Sequence, residues 1–296
     1  MPSPIADLEL RHLLAQISDR EGLEFHLQQS GRSLYCGFDP TAPSLHIGSL
    51  VPLLTLRRFQ LAGHSPIALV GGATGLIGDP SGRVDERGLN NVDVVRGWGE
   101  RLAQQVSRFI DLDGTYAARV VNNLEWASRL DALGFLRDIG KHFSVNAMMQ
   151  RDSVKNRLGR EGEGISYTEF SYMLLQAYDF LELSRRYQCT IQVGGSDQWG
   201  NMVSGIDLIR RVDGQQAFVL TVPLITRSDG LKFGKTADGA IWLDPDMTSP
   251  YRFYQFWLNS ADEDVVPFLG YFTFLDSSDI ADAATELRDR PGERGA

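Results

Sequence analysis

Apolar residues recur along the chain in two rhythms, one helical and one of short continuous runs, and their order predicts an α/β fold. Between residues 5 and 29, Leu8, Leu13, Leu14, Ile17, Leu23 and Leu27 follow helical spacing. Ser33-Leu34-Tyr35-Cys36-Gly37-Phe38 is a short apolar run that stops at Asp39-Pro40 and reads as a buried strand. Pro43-Ser44 opens a segment of helical length, Leu45 to Leu61, and Pro66-Ile67-Ala68-Leu69-Val70 is a second strand ended by Gly71-Gly72. Strand, helix and strand within about 35 residues make a βαβ unit, so the sheet is parallel.

The middle of the chain is more helical. Val92 to Ile110 and Phe135 to Met149 carry helical patterns, with a short strand at Ala118-Arg119-Val120-Val121 between them. Ser166-x-x-Glu169 is a capping box ahead of a long helical run to Tyr187. Thr190 to Val193 and Ala217 to Val222 read as two more strands, the first stopped by Gly194-Gly195. After Gly239 the spacing predicts short helices at Pro250 to Leu258, Asp262 to Gly270 and Asp279 to Arg288, then a loose polar tail. A domain boundary is expected near residues 225–245.

Composition narrows the class. A chain of 296 residues suggests about two domains at roughly 150 residues each. The glycines and prolines follow no period, which excludes fibrous and disordered chains. No apolar run approaches the roughly 18 residues of a membrane span, and the N-terminus lacks the basic start and apolar stretch of a secretory signal. Two cysteines, Cys36 and Cys189, are too few for a disulfide framework or a structural zinc site, so a reduced, cytoplasmic protein is expected. The net charge of −9 argues against a broadly basic nucleic-acid surface, so any RNA contact must be local and focused by shape.

In a parallel sheet, ligands gather at the carboxyl ends of the strands. The turn Asp39-Pro40-Thr41 to His46-Ile47-Gly48 lies there and offers a hydroxyl, a ring N–H and an open backbone at a helix start, features suited to phosphate. The same spacing fits an ordinary strand-to-helix turn. Gly71-Gly72-Ala73-Thr74-Gly75-Leu76-Ile77-Gly78-Asp79 matches neither the dinucleotide nor the Walker pattern; Asp79 suits an ammonium, or simply caps its turn. Tyr172, Gln176 and Asp179 share one stripe of an otherwise apolar helix, as a ligand wall or a solvated face would. Asp197, after Gly194-Gly195, suits ribose hydroxyls or a helix cap. Lys232-Phe233-Gly234-Lys235-Thr236 suits a polyphosphate clamp or a solvated loop.

As a set these segments have a precedent. Asp39-Pro40-Thr41 with His46-Ile47-Gly48, and Lys232-Phe233-Gly234-Lys235-Thr236, resemble the two ordered signatures of class I aminoacyl-tRNA synthetases. Tyr35 to Ala42, Val70 to Ser81, Lys141 to Asn146, Phe170 to Phe180 and Gly194 to Asn201 are similar to the bacterial-type tyrosyl-tRNA synthetase family, over essentially the whole chain. The resemblance implies a Rossmann-like doubly wound parallel sheet in residues 1–225, with a helical insertion at residues 125–165, a mobile loop and linker at 226–245 and a small helical domain at 246–296. It implies a ligase that activates L-tyrosine with ATP and Mg²⁺ and transfers it to tRNA(Tyr), working as a homodimer through Lys141 to Gln150.

Residue by residue, the resemblance puts Tyr35 and Asp179 on the substrate phenol. Tyr172, Gln176 and Asp79 fall on its ammonium, and Gln198 falls near its carboxylate and ammonium. Asp39, Gly195 and Asp197 fall around the ribose. Thr41, His46 and Gly48 meet the phosphates, and Lys232, Lys235 and Thr236 clamp the pyrophosphate. Arg83 and Arg87 match a second basic loop, and Arg151, Lys155, Arg157, Arg210 and Arg211 match RNA contacts or solvated helix faces.

Two departures stand out. Ser49 replaces the second His of the first signature, which implies slower but retained ATP activation, and Pro43 stiffens the turn. The family continues into a C-terminal RNA-binding domain beyond the length seen here, so a fragment with weak tRNA affinity is expected. The rival reading, a non-catalytic RNA-binding module on a synthetase fold, has only Ser49 in its favour.

Overall fold

A computed structural model of the chain describes residues 3–81, 90–151, 154–155, 158, 164–230, 233–236 and 239–289. Arg83, Arg87, Arg157 and Lys232 lie outside the described residues. The apolar runs form strands β1 (Gln16–Ile17), β2 (Ser33–Phe38), β3 (Ser65–Val70), β4 (Arg119–Asn122), β5 (Cys189–Gly195) and β6 (Phe218–Val222). They join in one sheet, in the order β1-β6-β5-β2-β3-β4. Every neighbouring pair is parallel except β1 with β6. From β2 the chain winds out through β3 to β4, then crosses back to add β5 and β6 on the other side of β2. The reversal leaves a crevice between the carboxyl ends of β2 and β5, where sheets of this kind take their ligands.

The helices are α1 (Pro4–Leu10), α2 (Arg20–Leu27), α3 (Leu50–Leu61), α4 (Thr74–Ile77), α5 (Val92–Val106), α6 (Leu124–Ala127), α7 (Ala132–Gly134), α8 (Val145–Met149), α9 (Tyr167–Tyr187), α10 (Trp199–Asp213), α11 (Pro250–Leu258), α12 (Asp262–Phe272) and α13 (Ser277–Asp289). They cover both faces of the sheet, and β2 divides its side chains between them. Leu34, Cys36 and Phe38 enter one core with Leu8, Leu23, Leu53, Leu56 and Leu102 of α1, α2, α3 and α5. Tyr35 enters the other, with Phe180, Leu181, Met202 and Leu208 of α9 and α10. Burial on both faces explains why these strands read as unbroken apolar runs. The register also pairs Tyr35 with Gln192 of β5, so the two side chains share the face beneath α9.

Three segments differ from the sequence expectation. Helical spacing over residues 5–29 resolves into α1 and α2 with β1 between them. Here the open edge of β6 binds the chain, through Ala15 N–H to Thr221 O at 2.8 Å and Ser18 N–H to Val219 O at 3.0 Å. An unpaired edge outweighs helical propensity. Phe135 to Met149 breaks into a π turn, a 3-10 turn at Gly140–His142 and α8. Arg211 braces this segment through the His142 carbonyl, and Arg151 through Ser204 Oγ at 3.2 Å, so both act as structural ties to α10. The third is a small hairpin, β7 (Lys235–Thr236) with β8 (Gly239–Ala240), which the spacing did not predict.

The C-terminal helices are tied to the sheet layer by two buried arginines. Arg11 donates to the carbonyls of Gly270 and Leu275, at 3.3 and 2.6 Å, and Arg58 donates to Gly270 O at 3.2 Å and to Thr273 O. Both also pair with Asp7. Cations at these carbonyls complement the C-terminal end of α12.

At the opposite, amino end of the sheet His26 lies against Phe218 and bonds Thr190 Oγ1 at 2.8 Å. Burial, with Arg32 and His64 nearby, lowers its pKa to about 4. The unfolded chain therefore binds a proton here between pH 6.5 and 4 that the folded chain does not, so this contribution to stability is full above pH 6.5 and is lost as pH falls towards 4. Denaturant melts across that range should show a smaller acid loss in His26→Gln than in the parent. Parallel curves would contradict this.

Candidate functional site

The deepest part of the crevice is a polar network in an apolar wall. Asp179 projects from α9 into the second core and is 4% exposed. Asn123 Nδ2 donates to one carboxylate oxygen at 2.9 Å and Trp126 Nε1 to the other at 2.7 Å. Burial pushes its pKa up to about 7 while these donors pull the other way. Tyr35 lies beside Phe180, with ring centroids 5.1 Å apart, and is almost fully buried. Its hydroxyl has no hydrogen-bond partner among the described residues, and the same holds for Gln176 Oε1 of α9 and Gln192 Oε1 of β5. Buried polar atoms without partners are rare and call for an explanation; a polar ligand supplies one.

Further out, Tyr172 Oη donates to Asp39 at 2.7 Å, and Thr74 Oγ1 donates to the other Asp39 oxygen at 2.7 Å. Burial, then the charge of Asp39, raises the Tyr172 pKa well above its usual value, so this hydroxyl stays a donor. Asn123 reaches Thr74 Oγ1 at 3.1 Å and accepts from the Ala73 N–H at 2.7 Å, which joins the inner and outer groups. Gly71 fits here because a Cβ would overlap the Asp39 carboxylate and the Thr74 hydroxyl. Asp79 accepts from Gln198 Nε2 at 2.7 Å and from the Ser81 N–H at 2.9 Å, so it both caps its turn and faces the crevice. Asp197 is exposed just beyond Gly195, and neither it nor Ser196 caps the helix that follows.

At the crevice mouth Thr41 is exposed, and His46 is exposed at the start of the 3-10 turn Ile47–Ser49. The Gly48 N–H donates to His46 Nδ1 at 3.0 Å. In the neutral ring the proton then sits on Nε2, where it can be donated to a ligand. Gly48 is needed for its own neighbour: a Cβ would lie 2.8 Å from the His46 ring. The lysine segment of the second signature, with the residues after it, meets this turn through backbone bonds. Ile47 N–H donates to Ile241 O at 2.8 Å, Ile241 N–H to Gly234 O at 3.0 Å, and Leu243 N–H to Leu45 O at 2.8 Å. Segments nearly 190 residues apart in sequence therefore share one rim. Lys235 and Thr236 lie on β7 of that rim.

Sequence reading missed Asn123, Trp126 and Gln192, and gave Thr74 no role. Asn123 and Trp126 follow a short strand with no motif around them; Asn123 carried only a generic signal, a polar residue at the carboxyl end of a strand.

A family model described as tRNA synthetases class I (W and Y) matches residues 28–295. The tyrosine–tRNA ligase of Aliivibrio salmonicida (strain LFI1238) is 58% identical over 295 residues, covering 98% of this chain and 69% of that protein. That of Corynebacterium glutamicum is 57% identical over 293 residues, again covering 69% of the relative. Among solved structures, a C-terminally truncated Aspergillus nidulans mitochondrial tyrosyl-tRNA synthetase superposes with a TM-score of 0.87 at 31% identity, covering 98% of this chain and 85% of that one.

Proposed function

The chain belongs to the class I aminoacyl-tRNA synthetases of the tryptophan and tyrosine group, and we propose that it is the tyrosine-activating kind, a tyrosine–tRNA ligase. It joins the carboxylate of L-tyrosine to the α-phosphate of ATP, releasing pyrophosphate, and then passes the tyrosyl group to a terminal hydroxyl of tRNA(Tyr). The observation that carries this reading is the buried Asp179 carboxylate facing the same core as the unpartnered Tyr35 hydroxyl. A phenol both donates to a carboxylate and accepts from a hydroxyl. Phenylalanine does neither, and an indole N–H has no lone pair for Tyr35, so either would leave buried polar groups unpaired.

The remaining roles are those the family resemblance assigns. Tyr172, Gln176 and Asp79 hold the substrate ammonium, with Gln198 on Asp79 and near the carboxylate. Asp39, Gly195 and Asp197 flank the ribose, with Asp39 oriented by Tyr172 and Thr74. Thr41, His46 and Gly48 meet the phosphates, and Lys232, Lys235 and Thr236 close over pyrophosphate. No protein nucleophile is required: the work is positioning, and stabilising charge as it develops on the leaving group. Mg²⁺ bound with ATP would share the charge on the phosphates.

We take residues 1–225 as the catalytic unit, with the insertion at 125–165, and 246–296 as a separate helical unit joined through 226–245. The chain works as a homodimer in the cytoplasm, where its tRNA is. Exposed Leu133, Leu136, Val145 and Met149 on the insertion support the dimer, and among the described residues no helix is long and apolar enough to cross a membrane. The test is ATP–pyrophosphate exchange with single amino acids. Exchange is expected with tyrosine and near background with phenylalanine and tryptophan; equal rates with all three, or none with tyrosine, would overturn the reading.

A further inference from the structure

Phe233 lies between the two lysines of the second signature, yet its ring is buried in a cluster supplied by other elements. It stacks on Phe272 with centroids 4.8 Å apart, and meets Phe268 at 5.0 Å, Phe256 at 5.4 Å and Trp257 at 5.8 Å, all from α11 and α12. The backbone around it is tied as well. Its N–H donates to Ile225 O at 3.1 Å, and Gly234 O accepts from Ile241. Gly234 has φ of +79°, and a Cβ there would come 2.5 Å from Ile47 Cγ2, directly after His46. The root of the lysine loop is thus wedged between the first signature and helices that are themselves held to α1 and α3 by Arg11 and Arg58.

We infer that Phe233 is a positioning residue for adenylate formation, its burial on α11 and α12 fixing the backbone that leads into Lys235. The inference rests on the proposed reading of this loop as the pyrophosphate clamp. The lever is short: Lys235 follows Gly234 directly, so freedom at the root passes straight to it. The two helices also meet without Phe233, through Trp257 against Phe272 at 5.0 Å and Phe268 at 6.1 Å. Removing the ring should therefore loosen the loop while α11 and α12 stay packed.

Tyrosine-dependent ATP–pyrophosphate exchange on the full chain tests this, alongside the tyrosine Kd and thermal melts, for Phe233→Ala, Phe233→Leu and Lys235→Ala. Phe233→Ala should raise the KM for ATP and lower kcat, each by about tenfold, with the tyrosine Kd unchanged within about twofold. Phe233→Leu, which refills most of the space, should recover most of the loss. A merely structural role would weaken tyrosine and ATP together, or lower the active fraction with both constants intact; either result, or parent-like exchange, overturns the inference. If Lys235→Ala is impaired and Phe233→Ala is not, only the inference falls. If Lys235→Ala is unimpaired, or the parent shows no exchange, the clamp reading falls and the inference with it.

Discussion

Replacing Asp179 with Asn should lower kcat/KM for tyrosine by roughly 10- to 150-fold and leave the weak reaction with phenylalanine within about threefold. The figure follows from losing one hydrogen bond to a charged group, about 1.5–3 kcal/mol. The substitution also affects the fold. Asp179 accepts from two donors, Asn123 Nδ2 and Trp126 Nε1, one on each oxygen. Asn offers one oxygen and one NH₂ group, so one buried donor is left facing another. Stability should fall by about 1–3 kcal/mol, visible as a lower denaturant midpoint. The pH dependence separates the two effects. Because burial raises the Asp179 pKa to about 7, the free site takes up a proton as pH falls through neutrality. If the ionised carboxylate accepts the phenol proton, the Kd for tyrosine rises as pH drops from 8 to 6, and Asp179→Asn is flat over that range. A flat parent profile would remove the carboxylate from phenol recognition.

Replacing His46 with Asn should cut kcat for adenylate formation by about 10²- to 10³-fold with the tyrosine Kd unchanged, the usual loss for one donor aimed at developing charge. Asn is the informative choice because His46 has two jobs. Its Nδ1 accepts from the Gly48 N–H, which puts the proton of the neutral ring on Nε2, and the proposed reading gives that proton to the phosphates. An Asn side-chain oxygen can still cap that turn but is too short to replace the outer donor. Loss in both His46→Asn and His46→Ala assigns the effect to phosphate contact. Retention of activity in the Asn variant alone would make His46 a cap and nothing more. Because Ser49 stands where a second histidine is found in the family, the parent has less in reserve and the loss should lie at the upper end of that range.

Much of the site was legible because class I chemistry sits at strand ends, where glycines, short polar side chains and a sudden end to an apolar run are local features. Asp79 and the stripe of Tyr172, Gln176 and Asp179 could be picked out from their immediate neighbours, whereas Tyr35 read only as part of a buried strand and took a role from the family resemblance alone. The fold class was equally legible, since strands buried on both faces and helices buried on one leave different periods in the sequence.

Other features depended on who meets whom. Residues 5–29 carry a helical period, but an open sheet edge from residues 218–222 recruits Gln16–Ile17 into a strand, and no local pattern records that partner. Asn123 and Trp126 lack a motif; they matter because β4 ends beside α9 and delivers two donors to one carboxylate. Phe233 reads as part of a lysine loop, while its ring belongs to helices some 20 to 40 residues later in the chain. By itself the sequence determined the periods, the turns and the chemical identity of each side chain, because those are set by covalent structure and near neighbours. Only the tertiary structure decided which donor satisfies which acceptor and which ring anchors which loop, because those energies arise between residues that chain distance keeps apart until the sheet has formed.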